Sequence, residues 1–455
     1  MEESESLINQ GPTPIDKYHL VYIITYLLGV TTLLPWNFFI TGEKYFHFKL
    51  RNTTLPGNMS DVTPLQQYFE SSLAVSATVS NVLCNIIVVI IVKRVGMKTR
   101  FTTSFVSIML LLGLTVSFVK VNTNSYQTAF FVIVLLTIIF LSGSSAVLNA
   151  TALGFASIMP TKYINALMGG QALGGTFASL ANILALATLP SVTDSALLYF
   201  IIAILVTILT FFGYFYLYKL EFSRYYIFRE GSSYIYDVHE NDKIINKRQV
   251  QSSIWSVFLK IWKWGFAALL TFAVTLSCFP AASSSIQPIN DLGWFERFYS
   301  PVVNFLVFNV TDLLGRIIAG KTRFLFKPKS STLFLITALL RLVFIPLIML
   351  CNVQPREHMT VLFDNDYAAG IIIFFLGLSN GFISNTSMML APRLVENHEA
   401  EQTGTLLSLF VTIGLAVGSC FSVLVIKLIG LASSARQLYI PKNPKIALIG
   451  NLNEK

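Results

Sequence analysis

Residues 101–119 read FTTSFVSIMLLLGLTVSFV, nineteen positions without a charge. A helix rises about 1.5 Å per residue and the hydrocarbon core of a bilayer is about 30 Å thick, so about twenty apolar residues cross it. Lys93, Arg94, Lys98 and Arg100 stand immediately before this stretch, as expected where a span meets water. The same ruler, moved outward in both directions, gives about eleven segments, centred near 18–40, 68–93, 101–119, 126–158, 164–190, 195–219, 254–279, 298–319, 332–351, 366–391 and 401–430. Composition agrees. Charged residues make up 12% of the chain, against about 25% in a soluble domain, too few to wrap a water-soluble globule. With 54% hydrophobic residues and a mean hydropathy of +0.65, the natural solvent of this chain is lipid.

Lys and Arg set the orientation of such a chain. They cluster in alternate loops: Lys93 to Arg100, then Arg224, Arg229, Lys243, Lys247 and Arg248, then Lys321, Arg323, Lys327 and Lys329. These loops are expected to be cytosolic, and with them the N-terminus. The net charge of +9 is explained by this bias, with no nucleic-acid partner implied. Asn52 and Asn58 begin glycosylation sequons in the first loop on the opposite side. Further sequon matches at Asn149, Asn309 and Asn385 fall inside spans and read as chance. The polar start, Met1 to Asp16, does not read as a cleavable leader.

The longest polar stretch divides six spans from five. The expected organisation is therefore a cytosolic segment 1–17, a six-helix bundle 18–219, a cytosolic central loop 220–253, a five-helix bundle 254–430 and an outer or lumenal tail 431–455. This all-α, polytopic, six-plus-five plan resembles the two-bundle layout of major-facilitator transporters, which bind substrate between the halves. Cys84, Cys278, Cys351 and Cys420 read as small apolar residues in or beside spans, not as a disulfide framework. None of the five histidines lies mid-span, so no metal site or other cofactor is expected. The spans hold no HExxH and no His–Cys cluster, so an enzyme is not expected either.

The informative residues are those that resist burial, because a charge at the centre of a spanning helix costs about 2.5–3.5 kcal/mol or more. Asp312 and Arg316 are four apart and so share a helical face, with Asn309 one turn earlier. This stripe reads either as the lining of a passage, bonding a polyol or a planar base, or as an ion pair joining helices. A proton-coupling role for Asp312 is a further reading. Arg341 is a second intramembrane charge, taken as structural or gating. Pro35 breaks backbone bonding in the first span beside Trp36, which could stack on a base or belong to an interfacial belt. Asn149 sits in a span with several serines, and Gly170 and Gly174 form a GxxxG packing pattern around Gln171.

Several stretches carry a resemblance. Leu33-Leu34-Pro35-Trp36-Asn37-Phe38-Phe39, Leu220-Glu221-Phe222-Ser223-Arg224-Tyr225-Tyr226, Phe308-Asn309-Val310-Thr311-Asp312-Leu313-Leu314-Gly315-Arg316 and Gly377-Leu378-Ser379-Asn380-Gly381 resemble, in order, the equilibrative nucleoside transporter family. Tyr68-Phe69-Glu70-Ser71, Leu73-Ala74-Val75, Val119-Lys120-Val121 and the run from Cys351 to Arg356 look closest to its endo-lysosomal member. The resemblance implies facilitated movement of nucleosides, sometimes nucleobases, by alternating access. It implies substrate contact at Leu33, Trp36, Asn309, Asp312 and Arg316. Asn149 and Phe305 are counted with them, although Asn149 replaces the family's base-contacting glutamine. Ser145 stands where the best-known plasma-membrane member has glycine. Glu3, Leu7 and Ile8 fit an acidic dileucine pattern able to hold a sorting adaptor, so the plasma membrane and the late endosome or lysosome are both expected sites. A proton-coupled exporter and a non-transporting membrane sensor are the alternatives.

Overall fold

A computed structural model of the chain describes residues 14–41, 43–51, 63–188, 192–231, 234–236, 247–249, 253–290, 293, 296–354, 356 and 361–429. Among these residues eleven helical spans carry the fold. They are α1 (Leu20–Thr41), α2 (Pro64–Ile91), α3 (Met97–Val119), α4 (Gln127–Ser157), α5 (Thr161–Thr188) and α6 (Val192–Leu217), then α7 (Ile254–Cys278), α8 (Val307–Thr322), α9 (Ser331–Leu340), α10 (Asp366–Leu390) and α11 (Ala400–Ile429). A π-helical turn, Ser300–Leu306, leads into α8, and α9 runs on through Arg341–Val343 into Phe344–Met349. The dileucine-pattern residues Glu3, Leu7 and Ile8, the sequons at Asn52 and Asn58, and the tail 431–455 lie outside the described residues.

Ten of these helices are long and apolar enough to cross a bilayer, one fewer than the sequence reading. The exception is α5. It has the length, 28 residues, but Gly169, Gly170, Gln171, Gly174 and Gly175 dilute its apolar character. Its polar side chains turn inward, with Gln171 and Ser179 buried. The central stretch also differs from the polar loop expected. It opens with a helix, Glu221–Gly231, whose Glu221 favours the positive helix start, and Tyr234–Tyr236 pairs antiparallel with Lys247–Gln249.

Local chemistry fixes several helix starts. At α2 the Thr63 hydroxyl accepts from the Gln66 backbone N–H, while the Gln66 side chain accepts from Thr63, closing a capping box. Inside α1, Pro35 cannot donate to the Thr31 carbonyl one turn back. The hydroxyls of that turn are themselves engaged: Thr31 Oγ1 lies 2.7 Å from Thr210 Oγ1 of α6, and Thr32 bonds the Gly29 carbonyl.

The helices pair closely: α1 on α5, α8 on α10, and α7 on α11. Contacts of α11 with α4 and α2, and of α8 with α5, join the helices before the central stretch to those after it. Leu110, Leu205 and Phe212, at 70%, 60% and 66% exposure, sit on the outer surface where lipid would lie. Gly170 and Gly381 show how near the paired backbones come. A Cβ on Gly170 would strike the Tyr26 carbonyl, and one on Gly381 the Asp312 carbonyl. Gly174 rests more loosely against Val30. Gly381→Val is therefore expected to cost more than the ~1–3 kcal/mol of ordinary overpacking, because backbone cannot step aside. Size-exclusion profiles and thermal midpoints in detergent check this, with Gly113→Ala, where nothing lies within 4 Å, as the silent comparison.

Candidate functional site

The stripe on α8 is the centre of a buried polar chain. Arg316 Nε donates to Asp312 Oδ2 at 2.9 Å across one helical turn. Asn380 Nδ2 on α10 donates to Asp312 Oδ1 at 2.7 Å, so both carboxylate oxygens are engaged. Asp312 and Arg316 are 5% and 4% exposed, and pairing of this kind is what makes such burial tolerable. Arg316 also reaches α5, donating from Nη1 to the Met168 carbonyl at 2.8 Å and to Gln171 Oε1 at 3.5 Å.

Gln171 passes the chain on. Its Nε2 donates to Asn149 Oδ1 of α4 at 2.7 Å and to Thr32 Oγ1 of α1 at 3.3 Å. Asn149 donates to Ser408 Oγ on α11 at 3.2 Å, Ser408 donates to Asn85 Oδ1 on α2 at 2.9 Å, and Asn85 donates to Asn81 Oδ1 at 2.9 Å. Each amide accepts through oxygen and donates through nitrogen in one direction. Such chains polarise one another in a low-dielectric interior. Nearby, Asn309 Nδ2 donates to Ser179 Oγ at 2.8 Å and to the Phe305 carbonyl at 2.9 Å, and the Phe305 ring meets Phe279 at 5.5 Å.

The structure thus brings Asn149, Asp312 and Arg316 into one network and sets Asn309 of α8 beside it, bonded to Ser179 on α5. Leu33 and Trp36 are half-buried, and among the described residues neither enters it; their neighbour Thr32 does. Gln171, Asn380, Ser408 and Asn85 were not singled out from sequence as site residues. Two signals were available: a glutamine inside a glycine-rich span, and asparagines at i,i+4 in α2. Arg341 sits deep in the bundle, 3% exposed.

At the end of the bundle where Arg100, Thr161 and Glu401 lie, the two sets of helices are fastened together. Arg100 forms an ion pair with Glu401 and donates to Thr151 Oγ1 at 3.3 Å. Arg393 Nη2 donates to Thr161 Oγ1 at 2.8 Å, and Asn385 Nδ2 to Asn165 Oδ1 at 2.7 Å. Lys260 pairs with Glu399 at 2.7 Å beside them.

Two sets of paired helices with a polar seam between them give the chain a fold of major-facilitator type. Solved structures agree on the fold. The transporter FucP in its outward conformation superposes with a TM-score of 0.53 at 14% identity, covering 92% of this chain and 100% of that one. A bacterial homologue of the iron transporter ferroportin, outward-facing, gives 0.52 at 14% identity over 92% and 98%. The sequence goes further. The nucleoside transporter family model matches residues 135–427. Equilibrative nucleoside transporter 3 of Rattus norvegicus is 33% identical over 428 residues, 90% of each chain. Equilibrative nucleoside transporter 1 of Homo sapiens is 32% identical, over 90% of this chain and 98% of its own. This chain belongs to the nucleoside transporter family.

Proposed function

We propose that this protein carries nucleosides passively across a membrane by alternating access, with the polar chain around Asp312 and Arg316 as the substrate-facing surface. One observation carries the reading: the buried chain runs between the two sets of helices, through Gln171, Asn149 and Ser408, where a rocking carrier exposes its site to each side in turn. A nucleoside is uncharged yet rich in donors and acceptors, and stripping its water inside hydrocarbon is costly unless those bonds are replaced. Asn149, Asn309, Asp312 and Arg316 supply the replacements, while Leu33, Trp36 and Phe305 offer apolar and aromatic surface for the base. Gly170 and Gly174 hold α5 to α1, and the halves are residues 18–219 and 254–430.

The end bearing Arg100, Arg393 and the loops rich in Lys and Arg faces the cytosol in this reading, which places the N-terminus there. Asn52 and Asn58 then lie on the opposite, glycosylated side. The acidic dileucine pattern of Glu3, Leu7 and Ile8 then stands on the side of the sorting adaptors, which select between the plasma membrane and the late endosome or lysosome.

Adenosine and uridine uptake into proteoliposomes tests the function. The expected result is saturable uptake that equilibrates without accumulating and needs no proton gradient. Uptake that appears only with an inward proton gradient sinks the passive mechanism. Uptake no greater than that of empty vesicles sinks the substrate assignment.

A further inference from the structure

We propose that Arg341 is a positioning residue for the substrate site, acting through Thr275 and Asn380 to fix the carboxylate of Asp312. Arg341 is buried at the end of α9, yet among the described residues no carboxylate touches it. Its guanidinium donates to the Thr271 carbonyl at 2.5 Å and the Leu376 carbonyl at 2.9 Å, and to Thr275 Oγ1 and Ser379 Oγ, both at 2.9 Å. A spanning helix that needed only packing here would hold Leu or Met, since a buried charge is expensive in lipid.

The geometry gives the charge a use. The Thr275 hydroxyl has one proton and two acceptors within reach, the Thr271 carbonyl at 2.9 Å and Asn380 Oδ1 at 2.8 Å. Arg341 settles the choice. A guanidinium can only donate, so it fills a lone pair on Thr275 and at the same time occupies the Thr271 carbonyl. The Thr275 proton is left for Asn380 Oδ1. With its oxygen accepting, Asn380 must turn its Nδ2 to Asp312 Oδ1, 2.7 Å away. The flipped amide would set oxygen against carboxylate. Every link from Arg341 to Asp312 then carries its proton towards the anion, and Oδ2 is left to hold Arg316 facing α5.

Without Arg341, Thr275 can turn back to the Thr271 carbonyl, and Asn380 loses the group that orients it. The inference rests on the transport reading for its kinetic readout, so a second readout is independent of transport. Uptake per folded molecule is measured for Arg341→Gln, Thr275→Val, Thr275→Ser and the double variant Arg341→Gln/Thr275→Val. The carboxylate infrared band of Asp312, identified by its loss in Asp312→Asn, is recorded for each.

The expected result is a rise in the half-saturating nucleoside concentration of about tenfold for Arg341→Gln and for Thr275→Val, within the coupling range of touching side chains. Thr275→Ser should recover most of the loss, the double variant should be no worse than the worse single, and the Asp312 band should move in both single variants. The proposal is overturned if Thr275→Val transports as the parent does, if the two losses multiply in the double variant, or if the band stays fixed. A parent protein that moves no nucleoside would defeat the transport reading alone, leaving the band shift to decide the relay.

Discussion

Asp312→Asn is expected to lower uptake per folded molecule by about two orders of magnitude or more. Removing one partner of a buried ion pair takes ~3–5 kcal/mol, and each ~1.4 kcal/mol is tenfold in an equilibrium. The change is small in shape, so packing against Gly381 and α10 survives. What is lost is the carboxylate that Arg316 bonds, and the anionic end of the chain from Arg341. An asparagine also brings an N–H donor to a place where Arg316 and Asn380 already donate, so at least one buried donor goes unsatisfied. A companion variant separates stability from function. Asp312→Leu with Arg316→Met removes both charges, and replacing a buried pair with apolar side chains is often neutral or stabilising by ~1–4 kcal/mol. That variant should recover the parent's thermal midpoint in detergent and still fail to transport. If it transports, the pair is only a strut and the passage lies elsewhere.

Much of this architecture is legible in the sequence because lipid imposes one strong rule: a span must be long and apolar. That rule locates the eleven spans, including α8, whose Asp312 and Arg316 announce themselves at i,i+4 in an apolar context. It weakened at α5, whose glycines allow the Tyr26 carbonyl to approach and whose Gln171 hides within the bundle, leaving hydropathy too diluted to reach the level of the other helices. The partners of the stripe were less legible. Asn380 and Thr275 lie 68 and 37 residues from Asp312, counting 380 − 312 and 312 − 275, and only the pairing of α8, α10 and α7 brings them together. A single asparagine in a span looks the same on a lipid-facing surface as at the centre of a network. Trp36 illustrates the converse. Its place beside Pro35 suggests a stacking surface, while the bond from that stretch to the polar chain is accepted by Thr32.

Glu401→Gln is expected to tip the carrier towards the state open at the Arg100 end. Arg100 on α3 and Glu401 on α11 belong to opposite sets of helices, and Arg100 is only 2% exposed. Alternating access requires this pair to part whenever that end opens, so its attraction stabilises the closed state and not the open one. Only a difference of that kind can shift a conformational equilibrium. Loss of ~1.4–2.8 kcal/mol, less than a fully buried pair contributes because Glu401 is 18% exposed, moves the ratio about ten- to a hundredfold. Neighbouring links, Arg393 to Thr161 and Asn385 to Asn165, keep the variant from falling open altogether. Spin labels at Lys98 and Glu396, both exposed near this end, report the distance by pulsed electron resonance. A longer distance population should grow in Glu401→Gln and shrink again in the charge-reversed pair Arg100→Glu/Glu401→Arg. Unchanged distances together with unchanged uptake would make the pair a packing contact. Closure at this end would then rest on the links at Thr161 and Asn165, whose hydrogen bonds the same labels can test one substitution at a time.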